Sequence, residues 1–271
     1  MRFGACTWIM GDEVLPAKVE RLAAIGLDGV ELFGDLSLNP REAHKILADH
    51  QLAVLSLTPD NVDLCHPDAT IHRPALDYYL RLIDFAAEVG APLFACHGQV
   101  GRVRVVGSYA EEWSLMVAAV REIAARAAQC NLRVAIELLN RYEAHLLNSA
   151  DEGLRFVREV GAANLGLLLD TYHMNIEEAH LPRAIQSAGD CLFLFHAADS
   201  NRQAIGRGHI DFGAIADALR TSGYRSDLIF ECVAPGPDPF TPLKGPDSRA
   251  QVELFLRESL TRMKTMLKDS F

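Results

Sequence analysis

The 6 cysteines form no C-x-x-C pair, no apolar stretch is long enough to span a bilayer, and positive charge is not in surplus. Each absence removes a class of protein. Cys6, Cys65, Cys96, Cys130, Cys191 and Cys232 are scattered, several of them inside apolar runs, so they read as buried, reduced thiols rather than a zinc ribbon or a dithiol motif. A chain without about 18 consecutive apolar residues has no membrane-spanning helix. The opening MRFGACTW lacks the apolar core of a secretion signal, so a cytoplasmic protein is expected. A formal net charge of −10 disfavours nucleic acid and anionic membranes, which call for a clustered positive field. A small-molecule partner is expected instead. No low-complexity stretch or interdomain linker interrupts the chain, and GRGH (206–209) fits neither phosphate-loop pattern, so it reads as a tight turn.

What is present is alternation. Strand-like runs FGACT (3–7), GVELF (29–33), AVLSL (53–57), LFACH (93–97), RVAIE (133–137), GLLLD (166–170), LFLFH (192–196) and LIFE (228–231) are separated by stretches with helical periodicity, at 16–25, 40–50, 72–89, 110–130, 150–160, 180–188, 212–222 and 248–267. Their dense Val, Leu, Ile and Phe content suits strands buried on both faces. Repeated βα units in 271 residues predict an α/β fold with one domain over 1–271, a single (β/α)₈ TIM barrel, an architecture of about 250 residues. Ser149 with Glu152 predicts a capping box, and Asp211 a helix N-cap. The segments 98–109, 197–210 and 232–247 are long loops at the presumed catalytic face, and the last, rich in Pro and Gly, is a candidate lid.

Four chemically apt side chains end successive strands: Glu137, Asp170, His196 and Glu231, each about 30 residues from the next, enough for one crossover. Strand C-termini of a barrel face a common centre, so such residues converge. A buried carboxylate is unfavourable unless its charge is answered, and a divalent cation answers it directly. Three carboxylates and one imidazole suit Mn²⁺, Mg²⁺ or Co²⁺ better than structural zinc. The plain alternative is that Glu137 and Glu231 form ion pairs with Arg141 or Arg202. Glu31 could bind a substrate hydroxyl or pair with a cation, His97 ends the fourth strand toward the same pocket, and Trp8 could stack on a sugar face or pack at the rim.

The stretches IELLNRYE (136–143), LDTYHMNIEE (169–178), FHAADSNR (195–202) and FEC (230–232) together resemble the ketose 3-epimerases, the D-tagatose and D-psicose 3-epimerase group of the xylose-isomerase-like TIM-barrel superfamily. The resemblance implies one divalent metal, Mn²⁺ by preference, on Glu137, Asp170, His196 and Glu231. It makes Glu137 and Glu231 the acid/base pair and sets Glu143, His173 and Arg202 against substrate oxygens. The implied reaction is epimerisation or isomerisation of a small ketose or polyol ketone, by proton abstraction beside a carbonyl through a metal-stabilised enediolate. A homo-oligomer, dimer or tetramer, is implied as well. Inosose or hydroxypyruvate isomerisation, dehydration and C-glycoside cleavage share the fold and the proton chemistry. A metal-dependent abasic-site endonuclease also shares the fold, but it needs several metals, more ligands and a DNA footprint that this acidic chain lacks. The match thins toward the N-terminal half, where Trp8, Thr58, His66, His97 and Gln99 fall in regions that would meet the distal end of a sugar.

Overall fold

The computed structural model describes residues 1–238 and 240–268. Eight parallel strands are hydrogen-bonded in the order β3-β2-β1-β8-β7-β6-β5-β4, and β3 packs against β4 to close the barrel. They are β1 Phe3–Cys6, β2 Gly29–Phe33, β3 Ala53–Thr58, β4 Leu93–Cys96, β5 Arg133–Glu137, β6 Leu165–Asp170, β7 Leu192–Ala197 and β8 Leu228–Phe230. Every strand lies within a residue or two of its predicted run. Helices α1 Leu15–Ile25, α2 Pro40–Asp49, α3 Ala69–Val89, α4 Tyr109–Gln129, α5 Ala150–Val160, α6 Thr171–Glu177, α7 Leu181–Ala188, α8 Phe212–Thr221 and α9 Ser248–Lys268 complete the fold. No helix among the described residues is long and apolar enough to cross a membrane.

The helix ends obey the expected capping chemistry. Ser149 accepts from the Glu152 amide and Asp211 from the Ala214 amide. The Glu152 carboxylate returns to the amide of Asn148 rather than Ser149, so the box closes one residue early. Sequence periodicity gives no sign of α6. It forms directly off β6 because Asp170, the last strand residue, is also its N-cap and accepts from the Tyr172 amide at 2.9 Å.

Two register shifts aim the strand ends. Between β2 and β3, Val30 faces Val54 but Glu31 faces Ser56, so Leu55 is an extra residue. Between β6 and β7, Leu167 faces Leu192 but Leu168 faces Leu194, which makes Phe193 the extra residue and brings Asp170 opposite His196. Without that bulge Asp170 would face Phe195 and the imidazole would be displaced along the strand.

At the other end of the strands Gly4 and Gly29 stand side by side in register. Leu55 fills the space above both: a Cβ on Gly4 would lie 2.7 Å from Leu55 Cδ1, and one on Gly29 2.7 Å from Leu55 Cγ. Gly29→Ala should therefore destabilise the fold by about 1–3 kcal/mol through overpacking. Urea denaturation measures this directly, and an unchanged midpoint would refute the packing account.

Candidate functional site

At the C-terminal mouth of the barrel, Glu137, Asp170, His196 and Glu231 each offer a ligand atom, and these atoms lie within 4.8 Å of one another. All four residues are buried. The parallel sheet brings them together from β5, β6, β7 and the residue after β8. Glu137 and Glu231 line the floor of a cavity of about 700 Å³ whose walls include Trp8, His97, Glu143, His173 and Arg202, and Asp170 and His196 lie against them. Of the residues singled out in the sequence, Trp8, Thr58, His97, Glu137, Glu143, His173, Arg202 and Glu231 line this cavity, whereas Gln99 turns to the Leu146 carbonyl and His66 to the Asp68 amide, outside its lining.

Glu31 proves to be part of the floor. It is fully buried and accepts from Ser56 Oγ at 2.5 Å and from Thr58 Oγ1 at 2.6 Å, while its Oε2 lies 3.2 Å from Nε2 of His196. Of the two readings open to it, pairing with a cationic partner fits and contact with a substrate hydroxyl does not. Its bond to Nε2 leaves Nδ1 of His196 facing the carboxylates, 3.2 Å from Glu231 and 3.8 Å from Glu137. A carboxylate behind an imidazole in this way orients the ring and raises its basicity as a ligand.

Burial pushes the Glu137 carboxyl well above the usual range, with the Glu231 and Asp170 charges adding to the shift against the pull of His196. Burial also raises Asp170, where Arg202 opposes and Glu231 reinforces. Glu231 is held low despite its burial, because Arg202 and His196 stand beside it; the Arg202 guanidinium is 2.9 Å away. Burial disfavours a charged His196, but Glu31 and Glu231 outweigh it and draw the ring toward its protonated form.

The donor set fits a divalent ion. Asp170 Oδ2 is buried without a hydrogen bond, a costly condition that a cation would relieve. Two other groupings do not fit. Cys6 lies near His196 and Glu231, but burial and Glu31 hold its thiol protonated and it donates to Glu31. Cys65, Glu112 and His145 surround Arg102, whose guanidinium already bonds Asp63 and Glu112.

The predicted substrate contacts fall on one side of the floor. Nδ1 of His173 accepts from the Asn140 amide at 3.2 Å, and its Nε2 lies 3.8 Å from Asp170 and 3.4 Å from the Arg202 guanidinium. Burial, reinforced by the neighbouring Arg202, keeps this imidazole neutral. Asn140 also donates to Glu143 at 2.9 Å. Arg202 pairs with Glu231 and lies 3.5 Å from Asp170, its guanidinium stacked 4.5 Å over the Tyr172 ring. The ion-pair alternative therefore applies to Glu231 without dispersing the tetrad, whereas Arg141 turns away to Glu177. Burial lowers His97 to about 4, and its Nδ1 has no partner, so it presents a neutral ring to the cavity wall. Trp8 Nε1 donates to Glu231 Oε1 at 3.0 Å, so its role includes orienting that carboxylate.

Sequence reasoning missed Asn140, Tyr172 and Asp199. Asp199 gathers the 197–210 loop by accepting from the Ser200, Gly206 and Ile210 amides, and its carbonyl receives the Arg202 amide at 2.7 Å. The signal available was the D-S-N turn sequence itself. In the candidate lid, Phe240, Thr241, Pro242 and Leu243 line the cavity, while Pro239 lies outside the described residues.

Residues 19–258 match the xylose isomerase-like TIM barrel family. The chain is 31% identical over 243 residues to L-ribulose 3-epimerase of Mesorhizobium japonicum, covering 85% of this chain and 80% of that one. It is 31% identical over 267 residues to a ketose 3-epimerase of Arthrobacter globiformis, covering 92% of each. A crystal structure of D-psicose 3-epimerase with D-fructose superposes with a TM-score of 0.89 at 25% identity, over 98% of this chain and 99% of that chain.

Two outcomes follow from the geometry. Glu31→Gln should weaken Mn²⁺ affinity by about 10–100-fold, the effect typical of removing a carboxylate behind a ligating imidazole. Isothermal titration reads this, and unchanged affinity would remove Glu31 from the site. Protons on Glu137, Asp170 and His196 compete with an ion, so affinity should rise with pH across the neutral range, by up to about tenfold per pH unit for each proton released. A pH-independent affinity would show that these groups are not the ligands.

Proposed function

The chain belongs to the xylose isomerase-like TIM barrel family and is an enzyme of the sugar epimerase and isomerase kind, and from that premise we propose that it is a divalent-metal-dependent epimerase of a small ketose or related polyol ketone. The observation that carries the proposal is the convergence of Glu137, Asp170, His196 and Glu231 within 4.8 Å, with His173 and Arg202 beside them. In this reading the whole chain, 1–271, is one catalytic domain, cytoplasmic and homo-oligomeric.

Epimerisation beside a ketone removes a weakly acidic C–H proton, passes through an enediolate, and returns a proton to the opposite face. Glu137 and Glu231 stand at separate strand ends on the cavity floor, which suits one as base and the other as acid, with the roles exchanged in the reverse direction. Glu137, Asp170, Nδ1 of His196 and Glu231 would hold the ion, Mn²⁺ by preference with Mg²⁺ or Co²⁺ as substitutes. Such an ion supplies Lewis-acid polarisation of the carbonyl and offsets negative charge developing next to it. The His173 imidazole and the Arg202 guanidinium donate toward a substrate oxygen on the same side, and Glu143, held by Asn140, accepts from a hydroxyl. Trp8 keeps the Glu231 carboxylate turned toward the cavity.

The test is metal-loaded protein in D₂O with a panel of ketoses, followed by NMR for deuterium at the carbon beside the carbonyl. Wild-type protein should exchange at least one panel member. Glu137→Gln and Glu231→Gln should each lower the rate by about 10²–10⁴-fold, the contribution typical of a positioned acid or base, while circular dichroism remains unchanged. Full activity in both variants would overturn the mechanism, and absence of exchange from every ketose would overturn the substrate class.

A further inference from the structure

The tetrad occupies only the floor of the cavity. Small-molecule sites span about 300–1,000 Å³, and this cavity, at about 700 Å³, extends beyond the tetrad to Asp12, Lys18 and Leu243. Its outer wall carries polar groups with nothing to bind. Asp12 follows the turn after Trp8–Met10, and Lys18 lies on α1; both line the cavity. Neither side chain makes a hydrogen bond or an ion pair with any described residue; the Lys18 ammonium senses Asp12, Glu13 and Arg249 only through space. The neighbouring Glu13 is already engaged, 3.2 Å from Arg21 and 3.1 Å from Arg249.

The strap after β8 completes the wall. Leu243 sits directly over Gly11, where a Cβ would come within 2.7 Å of Leu243 Cγ, and Gly11 adjoins Asp12. Gly11 has φ +77, a left-handed conformation that favours glycine. The outer wall therefore combines an ammonium donor, a carboxylate acceptor and an apolar cover. An anionic group does not suit it, because carboxylates outnumber cations around the cavity and Arg202 is already paired. A neutral hydroxylated ring does suit it, since each hydroxyl both accepts and donates.

We propose that Lys18, Asp12 and the Leu243 strap form an outer sugar subsite, in which Lys18 donates to and Asp12 accepts from hydroxyls of a second sugar residue attached to the far end of the reacting ketose. The preferred substrate is then a ketose in glycosidic linkage rather than a free one. This rests on the ketose reading above.

The experiment compares D-fructose with isomaltulose, a fructose bearing a glucosyl residue on its terminal hydroxyl, using metal-loaded full-length chain and deuterium exchange. Wild type should favour isomaltulose in kcat/KM by roughly tenfold or more, the scale of one or two hydrogen bonds to charged groups. Lys18→Met and Asp12→Asn should each pull that ratio toward one, mainly through the KM for isomaltulose. A wild-type preference for fructose, or a ratio that neither variant moves, overturns the subsite. If neither sugar exchanges, the epimerase reading fails separately, and calorimetric titration with isomaltulose judges the subsite. About tenfold weaker binding by Lys18→Met then upholds it, and equal binding overturns it.

Discussion

Three carboxylates and an imidazole crowd within 4.8 Å of one another at the mouth of an apolar barrel, and the negative charge they bury must be answered. The protein answers part of it. Arg202 and His196 hold Glu231 ionised, but the pull of both on Asp170, and of His196 on Glu137, is outweighed by burial and the neighbouring carboxylates, and both carboxyls are driven toward their neutral forms. Much of the surrounding architecture follows from managing this imbalance. The β6–β7 bulge sets Asp170 opposite His196, Glu31 braces the imidazole from behind, and Trp8 pins one oxygen of Glu231. A structure built for stability alone would not concentrate like charges in this way.

Much of this was legible in the sequence because the barrel's physics is local and repetitive. Buried parallel strands must be dense in apolar residues, so a Glu, Asp or His ending such a run stands out, and strand polarity puts all such ends at one mouth. What could not be read depends on contacts between distant segments. Glu31 lies 165 residues from His196 and Trp8 lies 223 from Glu231, and neither pairing leaves a local mark. The register shifts at Leu55 and Phe193 are equally silent, since both residues look like ordinary strand members. Helix α6, 7 residues long, leaves no periodicity of its own, and its cap, Asp170, is also the last residue of a strand.

The loops divide their labour by how they are tied. The 197–210 segment is wound around the Asp199 carboxylate, which collects several backbone amides and fixes the position of Arg202 over Tyr172. The strap after β8 is tied at its start, where the Val233 amide donates to the Arg202 carbonyl at 2.8 Å, and farther along Leu243 rests on Gly11. Arg202 thus links floor and cover, with its side chain in the charged cluster and its backbone anchoring the strap.

Arg202 has φ +58, in the left-handed region where a Cβ is disfavoured and glycine or asparagine sits more easily. Holding a non-glycine residue there costs on the order of 1 kcal/mol or more. If Arg202 acts on the substrate as proposed above, this position is one where selection for folding and selection for chemistry pull in opposite directions. A lineage released from its catalytic duty would drift toward glycine or asparagine at this point, gaining a more relaxed loop as it lost the guanidinium. The identity of this one residue can serve, across a set of related barrels, as a record of which copies still have work to do.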